Sequence, residues 1–310
     1  METNGIMTTV QDLGRNGFRS FGVNPNGAMD KHAVRLINIL LENDENEAVI
    51  ELHFPAPKIR FEQDAVIALG GGDFGTKVNN KPIENWRCVS VEKGSLLEFT
   101  ERVFGARCYL SVKGGFETEM WLKSASTNLT ANIGHNLQKN SQLFFKDKGR
   151  MTNDKANKVV SSSLIPYYSK FPTVRIVAGA EFENLTALSE QNLLKKSFTI
   201  SKQSDRMGFR LDGESLYLLD SKELISFAVN FGTIQLLPNG QMIILMADHQ
   251  TTGGYPRIAH IISQDLPLLA QLNPNDKVAF HFVSHEHAEE ILLQFERDLN
   301  LLKLGVKFSQ

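Results

Sequence analysis

Two stretches of this sequence concentrate side chains capable of chemistry. The first, residues 8–30 (TTVQDLGRNGFRSFGVNPNGAMD), sets Arg15 and Arg19 among Gly14, Gly17, Gly22 and Gly27 and ends at Asp30. Glycine lets a backbone approach a ligand closely, and a guanidinium presents a planar fork of donors that matches a carboxylate or phosphate. Such a loop suits an anion. It is not a nucleotide loop, because it has neither the Lys-Ser/Thr ending nor the strand–GxGxxG–helix setting. The structural alternative is a turn-rich connection whose arginines pair with Asp12 and Asp30 and hold its shape.

The second stretch, residues 246–257 (MADHQTTGGYPR), packs Asp248, His249, Gln250, Thr251 and Tyr255 around Gly253 and Gly254, directly after an apolar strand. Polar density at the end of a buried strand is where sites are usually built. Asp248 beside His249 suggests a base and its neighbour, but adjacent residues on an extended chain face opposite ways, so a dyad needs a turn between them. A hydrogen-bonded structural imidazole is the alternative for His249. Arg206 and Arg210, in QSDRMGFRLDG at 203–213, add two more guanidinium groups.

Other candidates are weaker. The run LGGGDF at 69–74 and the pair Gly114-Gly115 are strand ends where something approaches the main chain, or bulges. His281 belongs to a strand while His285 and His287 open a helix two residues apart, so the three share no face, and no metal site is expected. No Gly-x-Ser-x-Gly elbow anchors serine chemistry.

The elements that position these groups read mostly as short strands broken by Gly, Asn and Pro. They fall at 65–69, 87–91, 95–100, 107–112, 173–177, 197–202, 233–237, 241–247, 257–262 and 277–283, the pattern of closed or sandwiched antiparallel sheets. Pro238-Asn239-Gly240 between two apolar runs predicts a tight hairpin. Helices are few. Asp30 caps one with an apolar face of Ala33, Val34, Ile37, Leu40 and Leu41; another starts at Ser284 with Ala288, Ile291, Leu292, Phe295 and Leu299 as its stripe; a weaker one lies at 181–194.

Composition turns polar and basic between Lys146 and Lys170, which divides the chain into a first domain at 1–150, a linker at 151–170 and a second domain at 171–310. RNGFR at 15–19 recurs as RMGFR at 206–210, which hints at duplication of one β-rich unit. With 33 Lys+Arg against 35 Asp+Glu, nothing calls for nucleic acid or a membrane surface as partner. Cys88 and Cys108 sit in apolar strands as reduced core residues, and neither a signal peptide nor a membrane span is expected, so the cytoplasm is the expected location.

Three of these segments carry a family likeness. Residues 8–30, QSDRMGFRLDG and LMADHQTTGGYPRIAHII (245–262) resemble, in order and spacing, the signatures of the allophanate-hydrolase-subunit-2/KipA family, whose enzyme members include the C subunit of prokaryotic ATP-dependent 5-oxoprolinase. The likeness runs from about Gly5 to His281. A fourth signature departs: Ala125, within KSASTN at 123–128, stands where many members have an arginine.

The resemblance implies a mainly β fold of two cyclophilin-like β-barrel domains with a few short helices. It implies one component of a cytoplasmic complex that hydrolyses the cyclic amide of 5-oxoproline to glutamate, with ATP used by the complex and no cofactor bound by this chain. The partners implied are a KipI-like protein (the 5-oxoprolinase B subunit) and a LamB/YcsF-like protein (the 5-oxoprolinase A subunit), and the chain alone is expected to be inactive. Arg15, Arg19, Asp30, Arg206, Arg210, Gln250, Thr251, Gly253 and Gly254 would then hold substrate, and Asp248, His249 and Tyr255 would take part in the chemistry. Two alternatives stay open: a KipA-like regulator that antagonises a KipI-like histidine-kinase inhibitor, and a urea- or allophanate-type carboxyltransferase component.

Overall fold

The computed structural model describes residues 1–146, 158–220 and 224–308; the opening of the expected 151–170 linker, residues 151–157, lies outside them. The chain forms two compact units. The first comprises Met1–Arg15, Asn26–Tyr167 and Glu296–Gln310, the second Asn16–Pro25 and Tyr168–Phe295, so each is assembled from separate stretches of sequence.

The first unit holds β1 (Thr8–Gln11), α1 (Lys31–Leu40), β2 (Val49–Leu52), β3 (Ile59–Arg60), β4 (Ala65–Asp73), β5 (Thr76–Val78), β6 (Lys81–Pro82), β7 (Cys88–Val91), β8 (Leu96–Phe99), β9 (Phe104–Val112), β10 (Phe116–Glu117) and β11 (Phe144–Phe145). They make a five-stranded sheet ordered β1-β2-β9-β4-β7, a four-stranded sheet ordered β3-β8-β5-β6, and the ribbon β10-β11. Ile67, Phe74, Leu97 and Leu110 are at the centre of the core between the strands.

Helix α1 starts where the sequence predicts, because the Asp30 carboxylate accepts from the Ala33 amide at 2.9 Å and caps it. The glycine run of β4 is explained by packing: a Cβ at Gly70 would fall 2.7 Å from Ile37 Cγ2 and 2.8 Å from the Trp86 ring. The close neighbours of that main chain are thus the unit's own helix and indole. Cys88 and Cys108 are both free and buried, as expected; burial pushes the Cys88 thiol up to about 11 and the Cys108 thiol higher still.

The second unit holds β12 (Thr173–Ala178), α2 (Ala187–Lys195), β13 (Ser197–Ile200), β14 (Gly208–Asp212), β15 (Phe227–Ala228), β16 (Thr233–Leu236), β17 (Met242–Leu245), β18 (Thr252–Gly253), β19 (Arg257–Ile261), α3 (Leu266–Ala270) and β20 (Lys277–Phe282). Helix α4 (His285–Phe308) begins in this unit. Seven strands close into a barrel, β12-β19-β16-β17-β14-β13-β20, sealed by the parallel pairing of β20 with β12. Alternation fills its interior: Phe209 and Leu211 of β14, Ile234 and Leu236 of β16, and Met242 and Ile244 of β17 are buried. The Pro238-Asn239-Gly240 hairpin joins β16 to β17 as predicted, with Gly240 at φ 84°.

The mainly β expectation therefore holds. Among the elements with no counterpart in the sequence reading are β1, β2, β14 and α3. The repeated pentapeptides also differ in conformation. Gly17 has φ 94° in a loop that leads into a 3-10 turn at Arg19–Phe21, whereas Gly208 opens β14. No described helix is long and apolar enough to cross a membrane.

Candidate functional site

In the second unit, the end of β17 and the turn before β14 are tied together by charge. Arg206 Nε and Nη2 donate to Asp248 Oδ2 and Oδ1, both at 3.0 Å, and the Asp248 amide donates to the Arg206 carbonyl at 2.8 Å. The segment 16–25 joins the same locality: Asn24 Nδ2 donates to the Asp248 carbonyl at 3.0 Å. Arg19 donates to Asn230 Oδ1 and to the Val229 carbonyl, and the Val229 amide donates to the Thr251 carbonyl at 3.1 Å. Arg19, Arg206, Asp248 and Thr251 thus form one hydrogen-bonded neighbourhood although they come from three separate stretches of chain.

His249 is buried, and its Nδ1 meets the Gln250 carbonyl. The Asp248 carboxylate is turned to Arg206, which engages both of its oxygens. Beyond it, Gly253 in β18 pairs with Phe227 in β15, and Arg257 lies over the Phe227 ring at 4.7 Å while it donates to Glu181 Oε1 at 2.8 Å. Burial raises the Glu181 carboxyl, but the Arg257 hydrogen bonds and charge outweigh it and hold that acid below its ordinary range.

A cavity of about 490 Å³ opens on the outer surface of this barrel. Arg210, Gln235, Ile243, Gln250 and Tyr255 are among the residues lining it. Three of these were candidates from the sequence; Gln235 and Ile243 were not. Gln235 did leave a signal, as the lone amide inside the apolar run TIQLL, where a buried polar group needs a reason. Gly254 is exposed at the edge of the same segment.

In the first unit, Arg15 is buried, donates to the Ser126 carbonyl and lies over the Trp121 ring at 5.2 Å. Next to it, Asp12 gathers four donors: the Gly14 amide at 2.8 Å, Ser124 Oγ at 2.7 Å, Ser126 Oγ at 2.5 Å and the Ala125 amide at 2.7 Å. The segment that departs from the family signature at Ala125 therefore still wraps an acidic residue of the first signature. Asp30, fully buried, spends its side chain on the α1 cap and donates its amide to Tyr109 Oη at 2.9 Å. Among the described residues no group of three or more His, Cys, Asp or Glu side chains is gathered as metal ligands would be. His281 and His287 are exposed, and His287 Nδ1 lies 3.3 Å from Glu290 Oε2.

Comparison with known proteins bears on what this arrangement serves. Residues 21–282 match the family described as carboxyltransferase domain, subdomain A and B. The chain is 36% identical over 287 residues to the 5-oxoprolinase C subunit of Haemophilus influenzae, covering 91% of this chain and 90% of that one. It is 34% identical over 286 residues to the Escherichia coli protein of the same name, covering 92% and 91%. Among solved structures, the Kluyveromyces lactis urea amidolyase shares the fold at a TM-score of 0.90 and 24% identity over 97% of this chain, which spans only 20% of that much longer chain.

Proposed function

The chain belongs to the carboxyltransferase domain family, subdomains A and B, and from that premise we propose that it is the C subunit of an ATP-dependent 5-oxoprolinase. The observation that carries this reading is the even, end-to-end likeness to two proteins of that name, about nine-tenths of both partners in each alignment. The likeness to urea amidolyase, by contrast, corresponds to one segment of a larger chain.

The chemistry asked of such a complex is the opening of a five-membered lactam to glutamate, driven by ATP. A ring amide is a poor electrophile, so the carbonyl must be activated before water attacks. The ring C–N bond then breaks and its nitrogen takes a proton. The substrate carries a carboxylate throughout, and charge builds on the carbonyl oxygen during attack, so guanidinium groups and fixed dipoles are the useful protein contribution. Arg210 at the cavity supplies a cation, and the Arg206–Asp248 pair orients the segment that leads to Gln250, Thr251 and Tyr255.

No nucleotide loop is present in the sequence, so ATP handling falls to partner proteins, one KipI-like and one LamB/YcsF-like. The chain acts as one component of that assembly in the cytoplasm. Deletion of its gene tests the reading: growth on 5-oxoproline as nitrogen source should fail and return when the gene is restored. Growth that persists without the gene would refute it.

The urea amidolyase likeness favours one second reading, carboxyl transfer. It requires a biotinylated partner, so activity on 5-oxoproline that resists avidin argues for the first reading and avidin-sensitive carboxylation of a urea argues for the second.

A further inference from the structure

The cavity on the barrel of the second unit has a floor and two polar walls set by strand register. Arg210 of β14 pairs with Ile243 of β17, which in turn pairs with Gln235 of β16. Residues directly opposite in an antiparallel sheet project to the same face, so the three side chains stand in one row, with Arg210 and Gln235 two strands, roughly 10 Å, apart. Their neighbours Phe209, Ile244 and Ile234 point the other way into the core. Gly208 lacks the side chain that would collide with the row: a Cβ there would be 2.6 Å from Ile243 Cδ1. Ile243 can therefore lie across the sheet as an apolar floor.

Gln235 is 1% exposed, and its Nε2 donates to the Tyr255 carbonyl at 3.3 Å. A carbonyl only accepts, so this contact fixes the amide with nitrogen toward Tyr255 and leaves Oε1 as the remaining polar atom. Oε1 receives no hydrogen bond from the described residues. Gln235 lines the cavity, so this acceptor is available to a donor on a bound molecule. Across the row, the Arg210 guanidinium has no hydrogen bond or ion pair among the described residues, while its backbone is held by Ser204 Oγ at 3.0 Å.

We propose that this cavity takes a small cyclic amide bearing a carboxylate, with the ring lying on Ile243, its N–H donated to Gln235 Oε1 and its carboxylate held by Arg210. The assignment rests on the 5-oxoprolinase reading for the identity of the ligand, 5-oxoproline, and adds to it the residues that recognise each end of that molecule. Gly253 is a positioning residue here, since a Cβ on it would be 2.6 Å from Gln235 Nε2 and would displace the amide.

The test is binding to the full chain, alone and in its complex, followed by ligand-observed NMR with three probes. These are 5-oxoproline, the lactone carboxylate in which oxygen replaces the ring N–H, and 2-pyrrolidone, which lacks the carboxylate. The natural chain should prefer 5-oxoproline over the lactone by roughly 3- to 10-fold and over 2-pyrrolidone by roughly 10- to 100-fold. Gln235→Met, close in shape, should lose the first preference and keep the second; Arg210→Gln, at an exposed site that does not threaten folding, should do the reverse. Preferences unchanged in both variants, or no binding of 5-oxoproline by the natural chain in either state, would overturn the assignment. Turnover reports separately on the function: an active complex whose substrate preference ignores both residues refutes the pocket alone, and selective binding without turnover supports the pocket and refutes the 5-oxoprolinase reading.

Discussion

Arg206 and Asp248 form a two-pronged ion pair at 3.0 Å on each arm, with side chains only 11% and 9% exposed. A carboxylate so engaged is an organiser of the strand end more than a free base, and its loss strands a nearly buried guanidinium. Asp248→Ala should therefore destabilise the chain by about 3 kcal/mol. The double variant with Arg206→Ala should cost less than the sum of the two singles, as read by chemical denaturation. Strict additivity would mean that the pair is not coupled.

Asp12 in the first unit should be still less replaceable. Its carboxylate accepts from two backbone amides and two serine hydroxyls, and hydrogen bonds to a charged acceptor contribute more than neutral ones. Asp12→Ala is expected to lower stability by about 3 kcal/mol or more, and Ser124→Ala by about 1 kcal/mol. Equal effects from the two substitutions would show that the cradle is not centred on Asp12.

Stability should depend on pH through His32. Burial, with a smaller contribution from the nearby Arg35 charge, lowers this imidazole from 6.5 to about 4. Between those values the unfolded chain binds a proton that the folded chain refuses, so the stability associated with a neutral His32 is complete above about pH 6.5 and is lost as pH falls toward 4. The loss is on the order of 3 kcal/mol. Thermal melts of His32→Gln should show a shallower fall across that window; an unchanged slope would rule His32 out as the source.

Gly253→Ala probes the amide that lines the cavity. The glycine is not in the left-handed region, so alanine strains no backbone, yet its methyl would press on Gln235 Nε2 at 2.6 Å. The expected result is a KM for 5-oxoproline raised roughly 3- to 10-fold with kcat largely kept and the melting temperature close to that of the natural chain. A fall in kcat at constant KM would place Gly253 in the chemical step instead.

What the sequence could and could not disclose follows from how far each feature reaches along the chain. Local devices were legible: the Asp30 cap of α1, the Pro238-Asn239-Gly240 hairpin, and the strands whose apolar residues alternate. Strand β2 escaped because VIEL contains Glu51, which reads as a surface residue. In the fold, Glu51 Oε2 accepts from the Met29 amide at 3.0 Å and Tyr109 Oη at 2.8 Å, two donors distant in sequence. The same holds for the sites. Asp248 was a candidate from its surroundings, but its arginine partner lies 42 residues away, and the serines that embrace Asp12 lie more than 110 residues away. The RxGFR pattern carries no local structure of its own: it lies in a loop in one place and opens a strand in the other, and tertiary context decided between them. Gln235 emerged only when register set it beside Ile243 and Arg210.

The most direct measurement is ATP-dependent release of glutamate from 5-oxoproline by the complex reconstituted from purified components, with this chain either included or left out. Glutamate should form only when the chain, both partner proteins and ATP are all present, and the chain by itself should produce none. Equal glutamate release with the chain omitted would contradict the account.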